Sequence, residues 1–300
     1  MSQTAYIDTF FAGIGPSAQA RAGFKPWALA FDGQAIWMAN VGDHILTKLA
    51  LDGTVLDIYE VGALPWALAF DGQAIWVANQ ADATVTKLAL DGRVLGTYPV
   101  GRWPQALALD RRAIWVANWR DGTVTKLALD GRVLGTFGVD ARPEALAFDG
   151  RSIWVAYGVD GIPQALAFDG EAIWVANWGD HVLTKLALDG SVLGTYARPQ
   201  ALDEAEYTVT KLGLDGSLLG YYGVADGPQA LAFDGRAIWV ANGGDDTVTK
   251  LALDGTVLGT YGVGRSPRAL AFDGQAMWVA NEGDDSVTRV IVKLNLTYPS

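Results

Sequence analysis

The segment PWALAFDGQAIWVAN (65–79) returns as PQALALDRRAIWVAN (104–118), PEALAFDGRSIWVAY (143–157), PQALAFDGEAIWVAN (163–177), PQALAFDGRAIWVAN (228–242) and PRALAFDGQAMWVAN (267–281). A first copy, PWALAFDGQAIWMAN, occupies 26–40, and most copies start 39 residues apart. Each full unit holds four short apolar runs, of the types ALAF, AIWVA, TVTKLAL and VLGTY. Asp-Gly separates the first run from the second and the third from the fourth. Asp-Gly between apolar runs marks a hairpin, because both turn residues must tolerate positive φ. Four antiparallel strands at this period predict a β-propeller blade. A helical solenoid does not fit units rich in Gly, Thr, Val and Trp that are broken about every ten residues. The rungs of a parallel β-helix are shorter than this period.

One all-β propeller domain over 1–300 is therefore expected, with units near 26–64, 65–103, 104–142, 163–198, 228–266 and 267–300 and partial ones at 143–162 and 199–227. After WVAYGVDGI (154–162) the third and fourth strands of a unit are missing, and TVTKLGLDGSLLGYY (208–222) lacks a preceding IWVAN strand. Strand types total seven of each kind if TAYIDTFFAGIGP (4–16) supplies the last fourth strand and closes the ring. Seven blades is the first reading, and eight positions with two thin blades is the alternative. The wiring of 143–227 stays open.

Composition narrows function. The net charge of −11 argues against general binding to nucleic acid or an anionic membrane, which need a basic surface. The absence of cysteine excludes disulfides and thiolate metal sites. No apolar run approaches a membrane span, and the N-terminus lacks the basic-then-apolar pattern of a secretion signal, so a cytoplasmic location is expected.

The residues that stay the same read as framework. Trp37, Trp76, Trp115, Trp154, Trp174, Trp239 and Trp278 share one repeat position and are expected in the core between blades. Lys48, Lys87, Lys126, Lys185, Lys211 and Lys250 share another and read as solvated or strand-paired charges. The Asn after the AIWVA strand and the Asp three residues on read as caps for loop backbone groups, with a ring of cation sites as the sharper alternative.

The residues that vary read differently. With strands lettered A to D from the axis outward, the A–B and C–D turns lie on one face. The B–C loops and D-to-A crossovers lie on the other. Trp27, Trp66, Trp103, Trp119 and Trp178 fall in crossovers or B–C loops, with Arg102, Arg142, Arg265 and Arg268 in crossovers and Tyr157, His44 and His181 in B–C loops. Aromatic rings gathered with arginine on one side form a recognition surface. The set is lopsided around the ring, which suggests one asymmetric site rather than a site per blade. His44 and His181 occupy equivalent positions in different units, so they do not suit one shared metal. No G-x-S-x-G, P-loop or HExxH motif is found.

The units, above all AIWVANGGDDTVTKLALDG (237–255), resemble the YVTN/NHL-like β-propeller repeats, including those of the streptogramin B lyase group. The resemblance spans nearly the whole chain and implies the fold. The lyases of that group use a catalytic His with an acidic partner and bound magnesium; no catalytic residue carries over to this sequence. The expected function is a non-enzymatic scaffold that binds a protein, peptide or glycan on the loop face, without catalytic residues, metal or cofactor. The alternatives are a lyase-like or hydrolytic enzyme built on His44 or His181, and a multivalent lectin.

Overall fold

The computed structural model describes residues 3–11, 24–139, 142–158, 162–178, 181–197, 208–215 and 217–294. They form seven four-stranded antiparallel sheets, so the chain is a seven-bladed propeller. Blades 1, 2, 3 and 6 are contiguous, at 26–60, 65–99, 104–138 and 228–262, with strands A to D in chain order. Blade 7 takes strands A to C from Pro267–Phe272, Met277–Asn281 and Ser286–Leu294. Its strand D is the N-terminal Gln3–Phe11, paired antiparallel along the whole of strand C from Gln3 opposite Leu294 to Phe11 opposite Ser286. The two ends of the chain are thus tied in one sheet, and the ring has no open seam.

Blades 4 and 5 are interleaved. Blade 4 joins Pro143–Phe148 and Ile153–Gly158 to His181–Leu186 and Val192–Ala197. Blade 5 joins Ile162–Phe168 and Ala172–Trp178 to Thr208–Gly213 and Leu218–Gly223. The two irregular units of the sequence are therefore halves of complete blades, and no thin blade results. The chain lays down both A–B hairpins first and then returns with both C–D hairpins.

Strand B is buried along its length in blades 1, 2, 3, 6 and 7, because neighbouring blades cover both of its faces. One apolar cluster fills each of the seven joints. In each, the tryptophan of one blade packs against strands B and C of the next, as Trp37 does on Ile75, Val77 and Leu88. Six of these indoles are fully buried and Trp239 is 2% exposed.

The Asp of each A–B turn explains why the indole is held so tightly. One carboxylate oxygen of Asp71 accepts from the backbone N–H groups of Gln73 and Ala74, and the other from Trp76 Nε1 at 2.8 Å. Lys87 completes the group, 3.1 Å from the same carboxylate and 4.9 Å from the Trp76 ring centroid. Its ammonium also donates at 2.8 Å to the carbonyl of Leu129 in the C–D turn of blade 3. The same donation joins Lys48 to Leu90, Lys126 to Leu188, Lys185 to Leu214 and Lys211 to Leu253. These lysines are neither solvated nor merely strand-paired, as expected from sequence. These five are largely buried ties between blades, and Lys250 and Arg289 make the equivalent ion pairs with Asp234 and Asp273 in blades 6 and 7. On the same rim, Tyr98 of blade 2 lies where a Cβ on Gly131 of blade 3 would sit, 1.8 Å from its ring; Gly131 also has φ +90°. Glycine is required there twice over.

The strand-B asparagines also differ from expectation. Asn79 donates from its amide nitrogen to Thr84 and Thr86 on strand C rather than capping loop backbone. The aspartates three residues on do cap: Asp82, Asp121, Asp245 and Asp284 accept the backbone N–H of Ala63, Arg102, Asp226 and Arg265 in the crossovers. Among the described residues no helix is long and apolar enough to cross a membrane.

Candidate functional site

A register irregularity in strand A builds the axial site. In every blade the second residue of the Pro-x-Ala-Leu segment has no ladder partner: Pro104 faces Asn118 and Ala106 faces Ala117, leaving Gln105 between them. The bulge recurs in all seven blades. A bulge re-aims the extra side chain. Here the seven bulged residues, Trp27, Trp66, Gln105, Glu144, Gln164, Gln229 and Arg268, all line one axial cavity of about 510 Å³. Strand-A alanines and leucines form its lower wall, and Trp119 reaches in from the B–C loop of blade 3.

The lining is polarised. Going round the ring, blades 7, 1 and 2 contribute Arg, Trp and Trp, and blades 3 to 6 contribute Gln, Glu, Gln and Gln. The rings of Trp27 and Trp66 are 4.1 Å apart between centroids, tilted by 44°. The Arg268 guanidinium lies 4.5 Å from the Trp27 ring and donates from Nη1 to Gln229 Oε1 at 2.6 Å. On the other side Glu144 accepts from the Trp119 indole N–H. Burial pushes the Glu144 carboxyl above its ordinary range, and the indole and the Arg142 charge only partly offset that.

A second stack covers the rim beside Glu144. Arg142 lies 4.4 Å from the Trp119 ring, Trp119 is stacked on Trp103 at 5.2 Å and 18°, and Arg120 lies 5.5 Å from Trp103. Trp103 is 38% exposed. A single 3-10 turn, Trp119–Asp121, presents Trp119 and Arg120. Arg102 is bound away from this stack, its Nε donating at 2.6 Å to Asp121.

The structure thus brings together Trp27, Trp66 and Trp119 in the cavity, with Trp103 and Arg142 on the adjoining rim. Trp27, Trp66 and Arg268 are expected in crossovers from the sequence but are bulged residues inside strand A. Tyr157, Trp178 and His181 fall at strand ends rather than in B–C loops, backbone-paired with Pro143, Ile162 and Gly158. Their side chains lie outside the described residues. Four lining residues, Gln105, Glu144, Gln164 and Gln229, are not among those that the sequence singles out. The signal was available: the residue after the repeated Pro reads W, W, Q, E, Q, Q, R while its neighbours hardly change.

His44 stands apart from this cavity. It occupies a left-handed backbone position (φ +61°) shared by Ala83, Gly122, Asp246 and Asp285. Its Nδ1 accepts the backbone N–H of Leu64 at 3.0 Å. Asp246 and Asp285 accept the equivalent N–H groups of Ser266 and Lys25, each at 2.8 Å. The imidazole therefore substitutes for a capping carboxylate. His44 belongs to blade 1 and His181 to blade 4. Among the described residues no group of three or more His, Asp or Glu is placed to hold a metal ion.

No family model matches the sequence, and no curated protein matches it. Solved structures match the fold. Virginiamycin B lyase from Staphylococcus aureus superposes with a TM-score of 0.72 at 13% identity, covering 96% of this chain and 99% of that one. A streptogramin B lyase structure gives 0.72 at 15% identity, covering 96% and 98%. BamB from Moraxella catarrhalis gives 0.57 at 16% identity, covering 94% and 91%. At these identities the likeness establishes the seven-bladed propeller and nothing about chemistry.

Proposed function

We propose that the protein is a binding module whose ligand enters the axial cavity from the loop face, without chemical turnover. The observation that carries this reading is the one-sided ring of bulged residues. Building a blade requires nothing particular at the bulge, since Trp, Gln, Glu and Arg all occur there in the same backbone. The cavity has the size of a small-molecule or peptide-terminus site and combines apolar rings with a few polar groups. Protein, peptide and glycan ligands all use such indole surfaces.

The resemblance of the repeats to the YVTN/NHL-like group leaves a lyase-like enzyme as the second reading, and the likeness to virginiamycin B lyase favours it at the level of fold. The engagement of His44 Nδ1 with the Leu64 N–H counts against a base at that residue. A multivalent lectin needs repeated sites, whereas the indoles here occupy only part of the ring.

The test is a screen of the purified protein against a glycan array, a peptide library and a small-molecule thermal-shift panel. Trp66→Ala, Trp103→Ala and Trp119→Ala serve as controls. Hits lost in these variants, with folding intact, support the site. Hits that survive all three place the ligand elsewhere.

A further inference from the structure

Among the described residues Arg268 is the one lining residue of the cavity that carries a positive charge, and its surroundings do not balance it. Its guanidinium has one face on Trp27 and one Nη1 bond to the neutral amide of Gln229. Its Nε is shielded from solvent and has no hydrogen-bond partner. Among the described residues no carboxylate oxygen lies within ion-pair distance of it. Glu282 acts on it only at longer range and is itself paired with Lys25 at 3.3 Å. A guanidinium keeps its charge, and removing it from water without an anionic partner is costly. Burial accordingly pulls its pKa down. A charge held in this state beside an open cavity is prepared for an anion that the chain does not supply.

The shape of the neighbouring wall defines the rest of the ligand. Trp27 follows Arg268 in ring order and Trp66 follows Trp27, so an anion on the guanidinium has an indole wall beside it. Glu144 is three blades away by the shorter path, so an anion on Arg268 is held apart from that carboxyl. Gln105, next to Trp66 in ring order, has a buried side-chain oxygen with no partner, which suits a ligand donor on that side. We propose that the axial cavity selects an aromatic carboxylate, its carboxylate on the terminal nitrogens of Arg268 and its ring against Trp27 and Trp66. Arginine matches a carboxylate with two parallel hydrogen bonds, which a lysine cannot reproduce. The inference rests on the cavity being the binding site proposed above.

Calorimetry with 2-naphthoate and its neutral amide, 2-naphthamide, separates the two claims. The expected result is that naphthoate binds at least tenfold more tightly than naphthamide. Arg268→Gln should weaken naphthoate tenfold or more and leave naphthamide within about twofold, with Arg268→Lys between. Trp66→Ala should weaken both. Equal binding of the two probes, still sensitive to Trp66→Ala, overturns the carboxylate preference and leaves the site standing. A preference for naphthoate that survives in Arg268→Gln overturns the assignment to Arg268. No binding of either probe at millimolar concentration, with no perturbation of the indole N–H resonances, overturns both the preference and the site. The comparison of two probes on the unaltered protein holds even if an Arg268 variant fails to fold.

Discussion

The two faces of the disc are opposite ends of the same seven sheets, yet they are built on different terms. On the turn face every blade repeats one assembly: an Asp that receives an indole, two backbone amides and, from strand C, a cation. In blades 1 to 5 the cation then reaches the next blade's C–D turn. Each piece is a joint between blades, so a change in one unit must be matched by the next. On the loop face and along the axis, the bulged residues touch the cavity more than the joints. Seven blades carry four residue types there. The uniform face shows what closes the ring, and the varied one shows where closure imposed no demand.

The sharpest challenge to the uniform face is acid. Burial alone would raise the carboxyls of Asp32, Asp71, Asp110, Asp149, Asp169 and Asp234, but bonds from indole, backbone and lysine outweigh it and hold all six below the ordinary value of 3.8. A carboxyl depressed in the folded state adds stability that is full above its unfolded pKa and is lost as pH falls through the folded one. Melting temperature should therefore hold to about pH 5 and collapse cooperatively below about pH 4. A melt independent of pH down to 2.5 would remove the aspartates from the account.

At a single joint, Trp115→Ala should cost about 3–5 kcal/mol, read as a shift in urea midpoint. Trp66→Ala, in the cavity, should cost about 1 kcal/mol, the worth of one aromatic pair. Similar losses at the two positions would erase the distinction between joint and cavity. Asp110→Ala removes the acceptor for Trp115 and the partner of Lys126, and should cost about 3 kcal/mol. Chemical denaturation of Asp110→Ala alongside Lys126→Met would show whether the stranded ammonium causes the loss. The smallest effect belongs to His44. His44→Asp should leave the melting temperature unchanged, and His44→Ala should lower stability by about 0.5–1 kcal/mol, the worth of one exposed cap.

Much of the fold could be read from the chain. Asp-Gly hairpins at a 39-residue period fix four strands per unit, and the TAYIDTFF segment matches a fourth strand closely enough to reveal the closure. The pairing of blades 4 and 5 could not be read. HVLTKL (181–186) and TVTKLG (208–213) are near-equivalent strands, so local pattern does not choose a partner for either. The packing that separates them is long-range: Leu186 lies in the joint with Trp115, and Leu212 in the joint with Trp154. The role of the lysines is not legible in a single unit, because their carbonyl partners lie in the neighbouring blade, 42 residues on for Lys48, Lys87 and Lys211, 62 for Lys126 and 29 for Lys185. The rim tryptophans were found by their departure from the repeat. The bulge beneath Trp27 and Trp66 was missed because register does not show in composition.

The interleaving of blades 4 and 5 also limits how this chain can be shortened or extended. Excising 39 residues from the contiguous part removes a whole sector and leaves clean ends to rejoin. A cut of that length inside 143–222 severs hairpins from sheets that continue elsewhere, so the two sectors can be lost or duplicated only together. Their modularity is that of a pair, a unit twice the length the repeat itself announces.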